Sequence, residues 1–413
     1  MATELFKNEE WATVTELLDS NEKYFGFPER RPDSVILSSF NVRIFGEKAN
    51  RSLGAFQLMA EYCSRCDLIA IQEVQDNLEA LKFLKGLLGD EYGLVTTDAA
   101  GGVPGRGGSF ERLAFLFRWQ RVERTDVASD IAYERSFVAN TLYENRDEIV
   151  AALDQRRRDL AAWTRRKNAA RAAGGKGPNK PDFILPTFLT FIRSPQLIGF
   201  RILGFDDAAP YECICVNAHL LYGNKEKSKQ ERKNEFEALT RWLINRAKQR
   251  DRIFHQNIIL FGDLNLEFSD LEEREKINEQ IKSWNKKDLR SKKAAKVNFP
   301  FLDTHPRFGQ IRTNARSDQT YDQIAFFAHD KRLPPASANA DAGTVVGGYD
   351  YGFFNFVDLF VKAFFGRDKK LNDLPKRTGN GLIKRIKKDV SDHMPIWIRL
   401  PIPHMGQAEF RWR

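Results

Sequence analysis

Val35-Ile-Leu-Ser-Ser-Phe-Asn-Val-Arg-Ile44, then Leu53–Tyr62, then Asp67-Leu-Ile-Ala-Ile-Gln72 decide the fold class. The first and third segments are short, apolar and rich in β-branched residues, which is the pattern of strands, whereas Leu53–Tyr62 gathers its apolar residues on one helical face. Strand, helix and strand in succession predict a layered α/β fold. Upstream, residues 1–33 read as a helical lead-in, with Trp11, Val14, Leu17 and Leu18 at helix spacing and the turn-forming Pro28-Glu29-Arg30-Arg31-Pro32 closing it. Downstream, a helix is expected around Leu78–Leu88, then a glycine-rich loop at Ala99–Gly108 and a strand at Arg112–Arg118. Further strands are expected at Phe188–Ile192, Glu212–His219, Asn257–Gly262, Tyr321–Phe327 and Pro395–Leu400, most of them ending in a polar residue. Two stretches interrupt this core. Asn145–Arg171 is an alanine- and arginine-rich helix former that ends at Gly174-Gly175, and Glu267–Lys296 begins acidic and ends basic, as a dipole-compensated helix does.

A chain of 413 residues, 42% hydrophobic and 29% charged, can bury a large core. No internal repeat is visible, and the expected organisation is a single domain over 34–400 carrying basic insertions at 145–182, 267–298 and 362–388, with a tail at 401–413. Met1–Glu10 has neither a basic start nor an apolar core, and no apolar run approaches the roughly 18 residues of a membrane span, so a cytoplasmic protein is expected. Four cysteines do not make a disulfide framework. The net charge of +9 is unevenly placed. Arg156–Lys180 carries nine basic residues against one acidic, Lys282–Lys296 seven against one, and Lys362–Lys388 ten against two, which leaves the rest of the chain strongly acidic. Basic appendages on an acidic body suit a polyanionic partner, although solvated lysine faces account for the same pattern.

Six clusters at expected strand ends carry chemistry: Phe40-Asn41-Val42-Arg43, Ile71-Gln72-Glu73-Val74, Glu111-Arg112-Leu113-Ala114-Phe115, Asn217-Ala218-His219, Gly262-Asp263-Leu264-Asn265, and Tyr321-Asp322 with Ser391-Asp392-His393. Together they supply what phosphodiester hydrolysis needs: ligands for a cation, a base for water, an acid for the leaving oxygen and donors for the phosphate. Each alone has a plainer reading. Asn41 suits a turn cap, Asp263 a turn and His393 a satisfied loop histidine, whereas an unpaired carboxylate at Glu73 among apolar neighbours is costly.

In these residues the chain resembles the endonuclease/exonuclease/phosphatase superfamily, and within it deoxyribonuclease I most closely. FNVRIFGE, IQEVQD, ERLAFLFR, GDLN, YDQ and SDHMP occur in the family's order between residues 35 and 400. The resemblance implies a four-layered α/β sandwich, two central mostly antiparallel sheets flanked by helices, with the site where strand ends meet. It implies Glu73 with Asn41 as ligands of Mg²⁺, Mn²⁺ or Ca²⁺ being the alternatives, and Asp392 as a further metal or water ligand. Asp263 and Asn265 would face the phosphate and the attacking water, and His219 and His393 would flank the phosphorus as base and acid. Glu111 and Asp322 would orient them, and Arg43, Asn41, Asn265 and Tyr321 would hold substrate. The histidine at 219 separates the chain from abasic-site endonucleases, and Glu111-Arg112 points to the deoxyribonuclease I branch.

Departures from that branch lie on the DNA-gripping surface. Gln75 replaces the groove-reading arginine, Gly107-Gly108-Ser109-Phe110 replaces a tyrosine-bearing loop, and Ile184-Leu185-Pro186 stands where an Arg-Glu-Pro run is expected. Elsewhere, Cys63-Ser-Arg-Cys66 has zinc-finger spacing but no second pair, so packed thiols are expected. Tyr349–Phe365 holds eight aromatics, read as a packed strand and helix, with a docking surface or base-stacking platform as rivals. The expected function is a metal-dependent DNA endonuclease leaving 5′-phosphates, with DNA ahead of RNA as substrate, no membrane partner, and a protein inhibitor as a fitting regulator. The alternatives are the same machinery acting on RNA, sphingomyelin or inositol phosphates, and a non-catalytic nucleic-acid-binding protein.

Overall fold

The computed structural model describes residues 4–99, 110–131, 135–181, 186–187, 190–204, 208–223, 226–248, 254–268, 270–288 and 295–402. The first half of the described chain runs α1 (Asn8–Asp19), β1 (Ser34–Phe45), α2 (Leu53–Ser64), β2 (Leu68–Val74), α3 (Glu79–Leu88), β3 (Tyr92–Thr96), β4 (Arg112–Arg118), β5 (Val122–Asp130), α4 (Arg135–Glu144) and α5 (Arg146–Ala172). The second half runs β6 (Gln196–Ile202), β7 (Tyr211–His219), α6 (Glu226–Lys248), β8 (Asn257–Asp263), α7 (Leu271–Ser283), β9 (Lys296–Asn298), β10 (Asp322–Ala328), β11 (Asp350–Phe353), α8 (Phe356–Phe365), α9 (Lys376–Asp389) and β12 (Ile396–Pro401).

Two six-stranded sheets result, ordered β11-β12-β1-β2-β4-β3 and β5-β6-β7-β8-β10-β9. Each is antiparallel except at its centre, where β1–β2 and β7–β8 pair in parallel across a connecting helix. Alternation along β1 separates the two sides of its sheet. Val35 and Leu37 pack with Phe115, Phe200 and Phe261 between the sheets, while Ile36, Phe40 and Val42 face the layer of α1, α2, α8 and α9. A third apolar cluster lies beneath α6 and α7 on the outer side of the second sheet. The four-layered α/β sandwich is therefore the fold.

The register places all chemistry-bearing strand ends on one edge. His219 pairs with Asp263, and Asp263 with Asp322, so the ends of β7 and β8 and the start of β10 are adjacent. In the other sheet Asn41 pairs with Gln72, and Val74 with Arg112. Gly262 has φ +142°, and a side chain there would strike the Ala218 carbonyl, so β7 and β8 approach this closely only with glycine.

Several expectations change in detail. The strand expected at Phe188–Ile192 is not one in its described part. There the Ile192 N–H is taken by the Glu235 carboxylate and Pro195 bars ladder donation, so pairing starts at Gln196. Among its described residues Glu267–Lys296 is α-helical over Leu271–Ser283, followed by a wider, π-helical turn at Trp284–Asp288 and then by β9. Most of the glycine-rich loop, and Ile184-Leu185, fall outside the described residues. Cys63 and Cys66 are buried free thiols, and burial pushes Cys63 up to about 12, which disfavours the thiolate zinc requires. Most of the aromatic stretch is core: Phe360 packs tilted against Phe6 and edge-on to Trp11 where α8 meets α1. Among the described residues no helix is long and apolar enough to cross a membrane.

Candidate active site

Irregular backbone turns the site residues into the cleft. β2 carries one more residue than β4 between the Ile71–Ala114 and Val74–Arg112 pairs, and this bulge holds Glu73 in the left-handed region at φ 60°. Beside it β1 leaves register after Asn41, with Ile44 at φ 46°, and the Ile44 N–H donates to Glu73 Oε2 at 2.9 Å. Arg51, nearly buried, donates to the carbonyls of Arg43 and Ile44 and so braces that turn. Asn41 Nδ2 donates to Glu73 Oε1 at 3.2 Å and, across the gap between sheets, to Asp263 Oδ2 at 2.9 Å.

Asp263 is the centre of the constellation. It is 1% exposed, and its Oδ2 lies 3.7 Å from His219 Nε2 and 3.5 Å from His393 Nε2. Each histidine is held through its other nitrogen. Glu111 Oε2 is 3.1 Å from His219 Nδ1, and Asp322 Oδ2 is 2.9 Å from His393 Nδ1. Burial opposes charge on His393, but the Asp322 and Asp263 carboxylates outweigh it and hold the imidazole well above its ordinary pKa. Burial also works against ionised Glu111, yet the His219 and Arg193 contacts prevail and lower its pKa.

Asn265 lies beside Asp263 for a reason other than strand alternation. At φ 52° it sits past the strand end, its N–H donates to Asp263 Oδ1 at 2.8 Å, and its Nδ2 donates to the Leu220 carbonyl. Tyr321 packs its ring 5.9 Å from that of His393, and burial pushes its hydroxyl up to about 12. Asp392 is 3.4 Å from Arg43 Nε and 3.8 Å from Lys387 Nζ. The cleft, of about 610 Å³, is lined by Glu73, Glu111, His219, Asp263, Asn265, Tyr321, Asp392 and His393. Arg43 and Asn41 reach it through their contacts with Asp392 and Asp263. A larger cavity, about 750 Å³, lies among α1, α8 and α9 and is lined by none of these residues.

Arg193 was not foreseen. It is 9% exposed, its Nε lies 2.6 Å from Glu111 Oε2, and it donates to the carbonyls of His219 and Leu220. The available signal was Arg193-Ser194-Pro195 just ahead of β6, a strand the sequence reading passed over. Gln75 is folded back, its Nε2 donating to the Glu73 carbonyl at 3.1 Å.

A hard divalent cation fits the Glu73–Asn41 corner. Asn41 Oδ1 is buried without a hydrogen-bond partner among the described residues, next to a carboxylate. A second grouping, Asp263, Asp322 and His393, brings one ligand atom each within 4.8 Å and could also hold a metal.

Two stacked six-stranded sheets flanked by helices define a deoxyribonuclease I-like fold. The Endonuclease/Exonuclease/phosphatase family model matches residues 38–351, and the chain belongs to that family, whose members hydrolyse phosphate esters and are typically dependent on divalent metal. No curated protein sequence matches the chain. Among solved structures, a Bacteroides thetaiotaomicron endonuclease/exonuclease/phosphatase family protein is similar at 13% identity and TM-score 0.46, covering 93% of this chain and 100% of that one. A humanized D. rerio TDP2 with 14 mutations is 13% identical at TM-score 0.43, covering 89% of this chain and 98% of that one. The human Nocturnin catalytic domain is 12% identical at TM-score 0.43, covering 91% and 97%.

Proposed function

We propose that this chain is a divalent-metal-dependent DNA endonuclease that leaves 5′-phosphates. The observation that carries the reading is the convergence of His219 Nε2 and His393 Nε2 on one Asp263 oxygen, each ring fixed from behind by its own carboxylate. Such a pair can accept one proton and donate another across a phosphate seated between them. Glu73 and Asn41, with Asp392 lining the same cleft, would hold a divalent cation that would supply charge neutralisation at the phosphate.

In this reading His219 takes the proton of a water that Asp263 and Asn265 hold in line with the phosphorus. The P–O3′ bond breaks as the new P–O bond forms, and His393 gives its proton to the departing O3′. Arg43, Asn41, Asn265 and Tyr321 hold the phosphate in place, and Arg193 braces Glu111 behind His219. A polyanionic substrate is favoured by the Arg316 and Lys387 side chains at the cleft wall, and DNA ahead of RNA rests on the order of the six motifs alone.

The test is a substrate panel with Mg²⁺: plasmid, single-stranded DNA, RNA, sphingomyelin, an inositol phosphate and bis(p-nitrophenyl) phosphate. Plasmid nicking is expected, with 5′-phosphate ends. His219→Ala, His393→Ala and Glu73→Gln should each lose at least about 10²-fold in rate with the fold intact. Faster turnover of RNA or a soluble phosphomonoester overturns the DNA assignment, and retained activity in either histidine variant overturns its role.

A further inference from the structure

We infer that α5 and the segment folded back along it form a phosphate-binding arm that grips duplex DNA beside the cleft. This rests on the nuclease reading above and adds the surface that would replace the missing groove arginine.

Topology gives the arm its place. β5 ends at Asp130, which pairs with Gln196, and Gln196 pairs with Asn217, two residues before His219. The insertion therefore leaves and re-enters the second sheet on the edge that carries the catalytic histidine. A 27-residue helix is about 40 Å long, the span of roughly one turn of duplex.

The helix has two unlike faces. At 100° per residue, Ile149, Arg156, Trp163 and Lys167 share one side. Ile149 and Arg156 are buried, Arg156 donates to the Pro181 carbonyl, Trp163 Nε1 donates to the Pro178 carbonyl at 2.8 Å, and Lys167 Nζ lies 4.6 Å from the Trp163 ring. The return segment is thus pinned along that side.

The opposite side carries Arg158 and Arg165, flanked by Arg157 and Arg166, while Arg171 extends the charge at the helix end on the pinned side, and all five are exposed. The one acidic residue of Arg156–Lys180, Asp159, is half-buried and accepts a hydrogen bond from Gln155. Lys176 and Lys180 add exposed charge on the return segment. Nearer the start of the helix the same side carries Asp147 and Asp154, which pair with Arg146 and Arg157, so the cationic part of this braced stalk is its second half, about 20 Å long, and that half is complementary to a line of phosphates.

The experiment uses full-length protein inactivated by Glu73→Gln and titrates it onto a 30-base-pair duplex across a salt series. The variants replace Arg157, Arg158, Arg165, Arg166 and Arg171 together, by Gln in one protein and by Lys in another. Gln and Lys keep helix propensity near that of Arg, and circular dichroism checks that the arm remains folded. With about 0.9 units of log-log salt slope per phosphate contact, the Gln variant should flatten the slope by about 3 units and weaken binding at least about tenfold at low salt, while the Lys variant keeps both. An unchanged slope in the Gln variant overturns the inference, as does an equal loss in the Lys variant. The five substitutions in otherwise active protein should leave hydrolysis of bis(p-nitrophenyl) phosphate unchanged, whereas His219→Ala abolishes it. Survival of that hydrolysis in His219→Ala signals failure of the site reading, separately from failure of the arm.

Discussion

At the scale of single residues, the two histidines have the same kind of partner but different surroundings. His393 faces Asp322 at 2.9 Å and Asp263 at 3.5 Å, both nearly without solvent, and this keeps its imidazolium protonated well above the ordinary range. That suits the acid role proposed for His393. Asp322→Asn removes the nearer negative charge, so the folded-state pKa of His393 should fall. Since an acid works only while protonated, activity is lost as pH rises through that pKa. The alkaline limb of the kcat/KM profile should therefore move to lower pH in the variant, with a rate loss smaller than that of His393→Ala. An alkaline limb that stays in place assigns the proton to another group. Most of these residues were legible because each closes or follows an apolar run in a fixed order. Arg193 was less so, since the Arg193-Ser194-Pro195 run does not name its partner: Glu111 is far away in sequence, at the edge of the other sheet, and meets it only when the two sheets stack.

At the scale of elements, the helical layer behind the first sheet is tied together by one buried carboxylate at the end of α9. Asp389 accepts from the Phe6 N–H at 2.9 Å, the Ser52 N–H at 2.7 Å and the Ser52 hydroxyl at 2.9 Å, joining α9 to the start of α2 and to the segment before α1. Ser52 in turn caps α2 and accepts from Trp11 Nε1. Asp389→Ala would strand two buried backbone donors, and a loss of about 3 kcal/mol in unfolding free energy is expected by denaturant titration. A change under about 0.5 kcal/mol would mean that water replaces the carboxylate there. Legibility at this scale followed the strength of the pattern. β1, β2, β4, β7, β8, β10 and β12 are apolar runs and were expected within a residue or two, whereas β5 carries exposed polar residues along most of its length and offers no apolar signal. β6 has a glycine at its centre and β9 has only three residues, whereas the four-residue β11 was expected from the aromatic run it opens. Short or half-solvated strands are fixed by the neighbour they pair with, which a single sequence does not display.

At the scale of the whole molecule, the site exists only because two sheets meet at a fixed offset. Asn41, Glu73 and Glu111 come from one sheet, and His219, Asp263 and Asp322 from the other. The offset is set by a buried polar bridge in an otherwise apolar interface. Gln72 Nε2 donates to Asn217 Oδ1 at 2.7 Å, and Asn217 Nδ2 donates to the carbonyls of Ile71 and Ala114 at 3.2 and 3.0 Å. Asn217 is two residues from His219, Gln72 precedes Glu73, and Ala114 follows Glu111 by three, so the bridge sits one step behind the reacting groups. Asn217→Ala would remove three buried hydrogen bonds between the sheets, leaving Gln72 Nε2 only its contact with Ser39 Oγ, at a cost of about 3 kcal/mol in stability. It should also slow turnover, because the two histidine–carboxylate couples lose their common reference while no substrate contact is removed. Steady-state kinetics on bis(p-nitrophenyl) phosphate should then show kcat reduced at least about tenfold with KM nearly unchanged, in protein that remains folded by circular dichroism. A stability loss with kcat intact would show that Asn217 only closes the interface, and that the Asn41–Asp263 bond alone sets the distance between the two halves of the site.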